Sequence, residues 1–284
     1  MAFEKAGDIL REAFKNGYGV AATNIFNYET IQFSIEKAEE LGKPVLIEFY
    51  PGWKNYIAMD TVAEITKACA KKVKVPVGLH LDHSTDFNEV MQAIYAGYTS
   101  VMFDGSGLPF EENVKHTSEV VKIAKAFELD VEAELGRVGN AASLDDFKNA
   151  DKFTSVEDAK RFYEATGCSS LAIAVGNAHG NYVSTPDIDI ARIKAIKEAI
   201  NIPLVLHGGS GIPDNQVQEA VKAGIAKMNV ATEYHNAYYK AVVNYSKQED
   251  KPKDMYFCSI NAKKEVLEFL EYKINLLNPS NPLV

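Results

Sequence analysis

The feature that most limits the fold is a regular alternation of strand-like and helix-like segments along all 284 residues. Eight short runs read as strands: 19–25, 44–49, 75–83, 100–105, 130–135, 169–176, 203–208 and 226–232. Longer segments with apolar residues at helical spacing separate them, at 30–41, 59–70, 87–96, 111–127, 156–166, 188–199, 213–223 and 234–245. The first shows the pattern, with apolar Ile31, Phe33, Ile35 and Ala38 in a segment of helical spacing. Strands joined through helices pair in parallel. Near-continuous apolar runs such as Leu171 to Val175 suit strands covered on both faces. Pro44, Pro76 and Pro203 sit at strand starts, where a missing donor costs least.

Eight such units close into a (β/α)8 TIM barrel without leftover edges; an open doubly wound sheet is the alternative. The chain is expected to form one barrel domain over 1–284. Residues 3–16 read as an extra N-terminal helix. A charged linker at 247–254 precedes a C-terminal helical extension at 260–276. The polar stretch 136–152 is the one long connection, and such loops are commonly lids or functional.

Composition narrows the function. Thirty Lys+Arg against 39 Asp+Glu leave a net charge of −9, without the basic footprint that nucleic-acid binding needs. With 46% hydrophobic and 24% charged residues, the chain reads as globular. No apolar stretch reaches the roughly 20 residues of a membrane span, and the N-terminus carries no apolar signal segment. Cys69, Cys168 and Cys258 are widely spaced, which suggests neither a disulfide framework nor a cysteine zinc site. A reduced, cytoplasmic setting is expected.

In a barrel the active site lies at the C-terminal ends of the strands. Those positions hold His80-Leu-Asp-His83, Asp104-Gly-Ser106, Glu132-Ala-Glu134, Gly176-Asn-Ala-His-Gly180, His207-Gly-Gly-Ser-Gly211 and Asn229-Val-Ala-Thr232. Of six histidines, His83, His179 and His207 fall on this rim. Each alone reads as a hydrogen-bonded rim histidine; three together fit an open catalytic zinc site with room for substrate. His80 lies deeper and reads as structural. Asp82, beside His83, suits a general acid/base or an orienting partner of a metal-binding histidine. Gly208, Gly209 and Ser210 allow backbone N–H groups to approach an anion, with the helix starting near Pro213 adding its positive end. Ala231 N–H and the Thr232 hydroxyl are further donors.

The segments HLDH at 80–83, FDGS at 103–106, VEAELGRVG at 131–139, GNAHG at 176–180, LVLHGGSG at 204–211 and KMNVATE at 227–233 resemble class II, metal-dependent ketose-bisphosphate aldolases. The tagatose-bisphosphate and fructose-bisphosphate branch is the nearest. The resemblance implies zinc on His83, His179 and His207, with Asp82 as acid/base. It places dihydroxyacetone phosphate against Gly180, Gly208, Gly209, Ser210, Ala231 and Thr232, with Asn229 on a donor oxygen. It further implies a monovalent cation near the phosphate, a sugar-phosphate substrate of carbohydrate metabolism or glycolysis, and a homodimer or homotetramer.

Three positions depart from the family pattern. The stretch Gly139-Asn-Ala-Ala-Ser143 lacks the family's loop acid, with Asp145 and Asp146 following. Tyr50, after Glu48, stands where a small hydroxyl residue is usual, and Phe257 where an arginine reaches the distal phosphate; Lys251 and Lys253 are near. The acceptor end therefore gains Glu48, Tyr50 and Trp53, which brings ketose 1-phosphates and unphosphorylated aldehydes into consideration beside bisphosphates. Two competing readings remain: an imine-forming aldolase using Lys227, and a non-catalytic paralogous subunit.

Overall fold

The computed structural model describes residues 2–279. Its strands are β1 (Val20–Asn24), β2 (Val45–Phe49), β3 (Val77–Leu81), β4 (Ser100–Phe103), β5 (Asp130–Leu135), β6 (Gly139–Asn140), β7 (Ser170–Ile173), β8 (Ala178–His179), β9 (Leu204–Leu206) and β10 (Ile225–Val230). Eight of them close into a barrel in the order β1-β10-β9-β7-β5-β4-β3-β2, while β6 and β8 form a separate ribbon. All neighbours run parallel. This is the TIM barrel expected from the alternation, and the open sheet is excluded.

Period-two geometry sorts each strand. In β3, Val77, Leu79 and Leu81 join the apolar layer shared with the surrounding helices. Gly78, His80 and the following Asp82 occupy the opposite, inner face. Helices start at local caps. Asn27 and Thr30 form a reciprocal capping box at Tyr28–Leu41, and Asp86, Ser155 and Asp189 each accept a backbone N–H at Phe87–Ala96, Val156–Thr166 and Ile190–Ile200.

The N-terminal helix spans Ala6–Asn16. It starts later than its apolar pattern suggests because Phe3 is drawn into a bridge with Val77. Ala6, Ile9, Leu10 and Ala13 pack on Val20, Ala22, Leu46 and Ala226, so this helix plugs the barrel floor. The C-terminal helix is longer than expected, Met255–Leu277, because the side chain of Asp254, the last residue of the linker, accepts the Phe257 N–H and starts the helix at once. Phe257 thus lies in its first turn.

The stretch 136–152 is not a structureless connection. It contains β6, a helix Leu144–Lys148 and a short turn of helix Ala150–Lys152. Gly139 and Asn140 pair with Ala178 and His179, and Phe147 is buried. Among the described residues, no helix is long and apolar enough to cross a membrane.

Gly78 marks where floor helix and barrel meet. A Cβ there would stand 2.6 Å from Leu46 Cδ2 and 3.0 Å from Ala6 Cβ. Gly78→Val is expected to lower stability by about 1–3 kcal/mol through overpacking, read from urea unfolding at constant slope. A change below about 0.5 kcal/mol would mean that the helix is not seated as described.

Candidate active site

At the C-terminal rim, a cavity of about 200 Å³ is lined by Asn24, Tyr50, Trp53, Asp82, His83, His179, Gly180, Gly208, Gly209, Ser210, Asn229, Ala231 and Thr232. Of the metal, acid/base and anion-binding residues expected from the sequence, all but His207 line it, and His207 is buried directly beside His83. Asn24, at the end of β1, was missed, although strand-end position alone would have found it.

Alternation would send Asp82 and His83 to opposite faces. The chain resolves this with a left-handed backbone at His83, φ 48°, uncommon for a residue with a side chain. Both side chains then line the cavity. The rings of His83, His179 and His207 cluster, with centroids 4.9 Å apart for His83–His179, 4.3 Å for His83–His207 and 5.9 Å for His179–His207. One nitrogen from each lies within 4.8 Å of the others, a spacing that can hold a metal ion.

Carboxylates aim two of these rings. His83 Nδ1 lies 2.9 Å from Asp104 Oδ2, and His207 Nε2 lies 2.9 Å from Glu132 Oε1. With those nitrogens carrying the proton, the neutral rings keep lone pairs on His83 Nε2 and His207 Nδ1. Burial opposes the charged form, but the carboxylates around the two rings outweigh it and raise both pKa values, so a metal would displace a proton here. Both nitrogens are buried without a hydrogen-bond partner, although Glu134 Oε2 approaches His207 Nδ1 to 3.1 Å. Buried polar atoms are normally satisfied, so this orphaned pair, with His179 alongside, fits a divalent metal with imidazole ligands and carboxylates behind them. Burial and the two neighbouring imidazoles push the His179 pKa down to about 3, leaving it neutral as a ligand must be.

Asp82 is buried and held on both oxygens: Asn229 Nδ2 donates to Oδ1 at 2.9 Å and Asn24 Nδ2 to Oδ2 at 2.7 Å. A carboxylate only accepts, which fixes both amides. Their carbonyl oxygens are left buried without partners, available to hydroxyl donors. Burial pushes the Asp82 carboxyl up, but the fields of His83, His207 and Lys227 more than offset this and hold it below the usual range.

Gly208 adopts φ 61°, and a Cβ there would stand 2.1 Å from the Ala178 carbonyl. Only glycine lets this loop lie against the His179 segment. The helix whose first turn lines the cavity is Thr232–Ser246, not the one beginning after Pro213. Its start presents the N–H groups suited to an anion. Ser210 Oγ is engaged in receiving the Glu233 N–H, at 3.3 Å.

Below the cavity, the barrel interior is charged. Lys227 Nζ lies 2.5 Å from Glu48 Oε1 and 2.8 and 3.0 Å from the two oxygens of Glu132. Burial disfavours the ammonium, yet the two carboxylates raise the Lys227 pKa above its ordinary value. An imine-forming lysine needs a neutral, accessible amine; the paired carboxylates favour the ammonium of Lys227, and Lys227 does not line the cavity, which argues against the imine reading. Glu48 is fully buried and paired in register with His80, so it does not reach the acceptor end as its sequence position suggested. Burial raises its carboxyl to about 8. His80 is structural as expected, buried with Nδ1 2.6 Å from Ser100 Oγ.

Tyr50 and Trp53 form one wall of the cavity, edge to face at 5.6 Å. Trp53 continues to His235 and Phe26. Phe257 packs on Tyr256 and does not line the cavity, nor do Lys251 and Lys253. Asp145 and Asp146 are bound by Lys152 at 2.6 and 2.8 Å and do not line the cavity.

A parallel barrel whose rim gathers three imidazoles, a clamped carboxylate and a glycine-rich loop has the form of a TIM-barrel enzyme with its pocket at the strand ends. The sequence model described as fructose-bisphosphate aldolase class-II matches residues 4–282. The chain belongs to this class II aldolase family, and is an aldolase, a carbon–carbon lyase. It is similar to the YdjI aldolase of Escherichia coli K12, with 33% identity, TM-score 0.87 and 97% of each chain covered. It is similar also to a putative fructose-1,6-biphosphate aldolase of Coccidioides immitis, with 26% identity, TM-score 0.87 and coverage of 99% of this chain and 98% of that one. A fructose-bisphosphate aldolase of Campylobacter jejuni shares the fold, with 24% identity, TM-score 0.81 and coverage of 98% and 96%.

Asp104→Asn leaves His83 without its carboxylate partner. Such partners are worth roughly 10–100-fold in metal affinity. Zinc competition against a chromophoric chelator should show a loss in that range; unchanged affinity would separate Asp104 from metal binding.

Proposed function

We propose that this aldolase reversibly cleaves a ketose 1-phosphate into dihydroxyacetone phosphate and an unphosphorylated aldehyde, with zinc held by His83, His179 and His207. One observation carries the substrate reading. The cavity has an anion-binding end at Gly208–Ser210 and Thr232, but its other wall is Tyr50 and Trp53, and no Lys or Arg lines it among the described residues. A distal phosphate would there lack a charge-assisted partner.

The backbone of Gly208, Gly209 and Ala231, with the Thr232 hydroxyl, binds the donor phosphate at the start of Thr232–Ser246. The metal, when bound, supplies Lewis acidity toward the donor carbonyl. Asp82 takes the C4 hydroxyl proton in cleavage and returns it in condensation. The two amides hold its carboxylate in place, and the free carbonyl oxygens of Asn24 and Asn229 orient donor hydroxyls. The aromatic wall covers the acceptor carbons and excludes water.

The direct test is a product screen, in which dihydroxyacetone phosphate is supplied with plain and phosphorylated aldehydes and the adducts are identified. Adducts from plain aldehydes are expected; adducts from phosphorylated ones alone contradict the reading.

Asp82→Ala is expected to retain zinc and lose turnover by roughly two to four orders of magnitude. An emptied metal site with an unchanged rate after metal reconstitution would make Asp82 an orienting residue only.

Each charge-assisted bond missing at a distal phosphate removes roughly 1.5–3 kcal/mol, about one to two orders of magnitude in affinity. The kcat/KM for a 1-phosphate ketose should therefore equal or exceed that for the matching 1,6-bisphosphate. A bisphosphate preference above about a hundredfold would reveal a cation from outside the described cavity.

A further inference from the structure

The His179 segment is fastened on two sides. On one side β6 pairs with it, and the Ala141 N–H donates to the His179 carbonyl at 2.9 Å. On the other, one side chain joins it to the glycine loop. Tyr182 Oη receives the Ala178 N–H at 2.7 Å and donates to the Gly208 carbonyl at 3.0 Å. The Tyr182 ring stands edge to face on buried Phe147, 5.1 Å between centroids. Its Cδ2 would lie 3.3 Å from a Cβ at Gly211. A single hydroxyl thus bridges the residue before one imidazole of the metal-fitting cluster and the first residue of the anion loop. Asn177 runs a parallel tie, donating from Nδ2 to the His207 carbonyl at 2.9 Å.

We infer that Tyr182 is a positioning residue that couples the two halves of the site, so that an anion seated on the Gly208–Ser210 loop tightens metal binding through the Ala178–His179 segment. This rests on the metal and phosphate roles proposed above. Neither end of the bridge is free to move alone. The Gly208 backbone already touches the Ala178 carbonyl, and the loop cannot shift without carrying the hydroxyl and the Ala178 amide with it. By linkage the effect is reciprocal: the metal tightens anion binding by the same factor.

The test is a thermodynamic cycle on the full-length protein. Zinc affinity is measured by chelator competition with and without saturating ethyl phosphate, which carries a phosphate but no carbonyl or hydroxyl to chelate the metal. The wild type should bind zinc at least about 5-fold more tightly with ethyl phosphate present, the lower end of usual coupling. Tyr182→Phe keeps the ring on Phe147 and removes both hydrogen bonds. It should bind each ligand alone and show a coupling factor reduced at least about threefold from the wild-type value. Direct attraction between the cation and the phosphate is common to both proteins, so the difference isolates the hydroxyl. Should the variant hold zinc too weakly for competition, the same factor is read from ethyl phosphate affinity with and without zinc. Equal coupling in both proteins overturns the inference while leaving the proposed function standing. A wild type that binds no zinc, or no ethyl phosphate, overturns both.

Discussion

Everything at the rim depends on two carboxylate–imidazole contacts, Asp104 to His83 and Glu132 to His207. An imidazole has two nitrogens, and a carboxylate on one decides what the other can do. Here it leaves a lone pair on each ring facing the same small volume. The left-handed turn at His83 is tolerated in service of this arrangement, since it lets Asp82 and His83 enter one cavity from adjacent positions. The barrel supplies the rest, because its closure brings the ends of β3, β4, β5 and β9 to one rim.

Beneath that rim the barrel departs from an apolar filling. Glu48, Glu132, Lys227 and His80 are all buried, and such groups persist only when paired. Lys227 compensates both glutamates, and through Glu132 the same cluster reaches His207. Replacing Lys227 alone would leave buried charge without a partner, the costly way to break such a network. The charged interior therefore belongs to the support of the site.

Much of this was legible in the sequence, for identifiable reasons. Period-two and helical spacing are local signals, so the eight barrel strands and their helices could be read directly. The strand-end rule then gathered Asp82, the three histidines, the glycine loop and Asn229. Asn24 is less legible because an asparagine at a strand end carries no charge signal and its pairing with Asp82 spans distant parts of the chain. The pairing of Lys227 with Glu48 and Glu132 needs the barrel register, since these residues are far apart in the chain. The ribbon of Gly139–Asn140 with Ala178–His179 was likewise hidden, because a Gly- and Asn-rich stretch shows a loop composition whether or not a distant strand pairs with it. Asp254 did carry a cap signal, but it was masked by the charged residues before it.

We propose that cleavage depends on a metal held by three imidazoles. The most direct measurement is the retro-aldol rate after exhaustive chelation, followed by stoichiometric zinc. The rate should fall to background and return with about one zinc per chain, as the one three-histidine cluster among the described residues would hold one ion. Full activity in the chelated protein, with borohydride trapping substrate on Lys227, would contradict it.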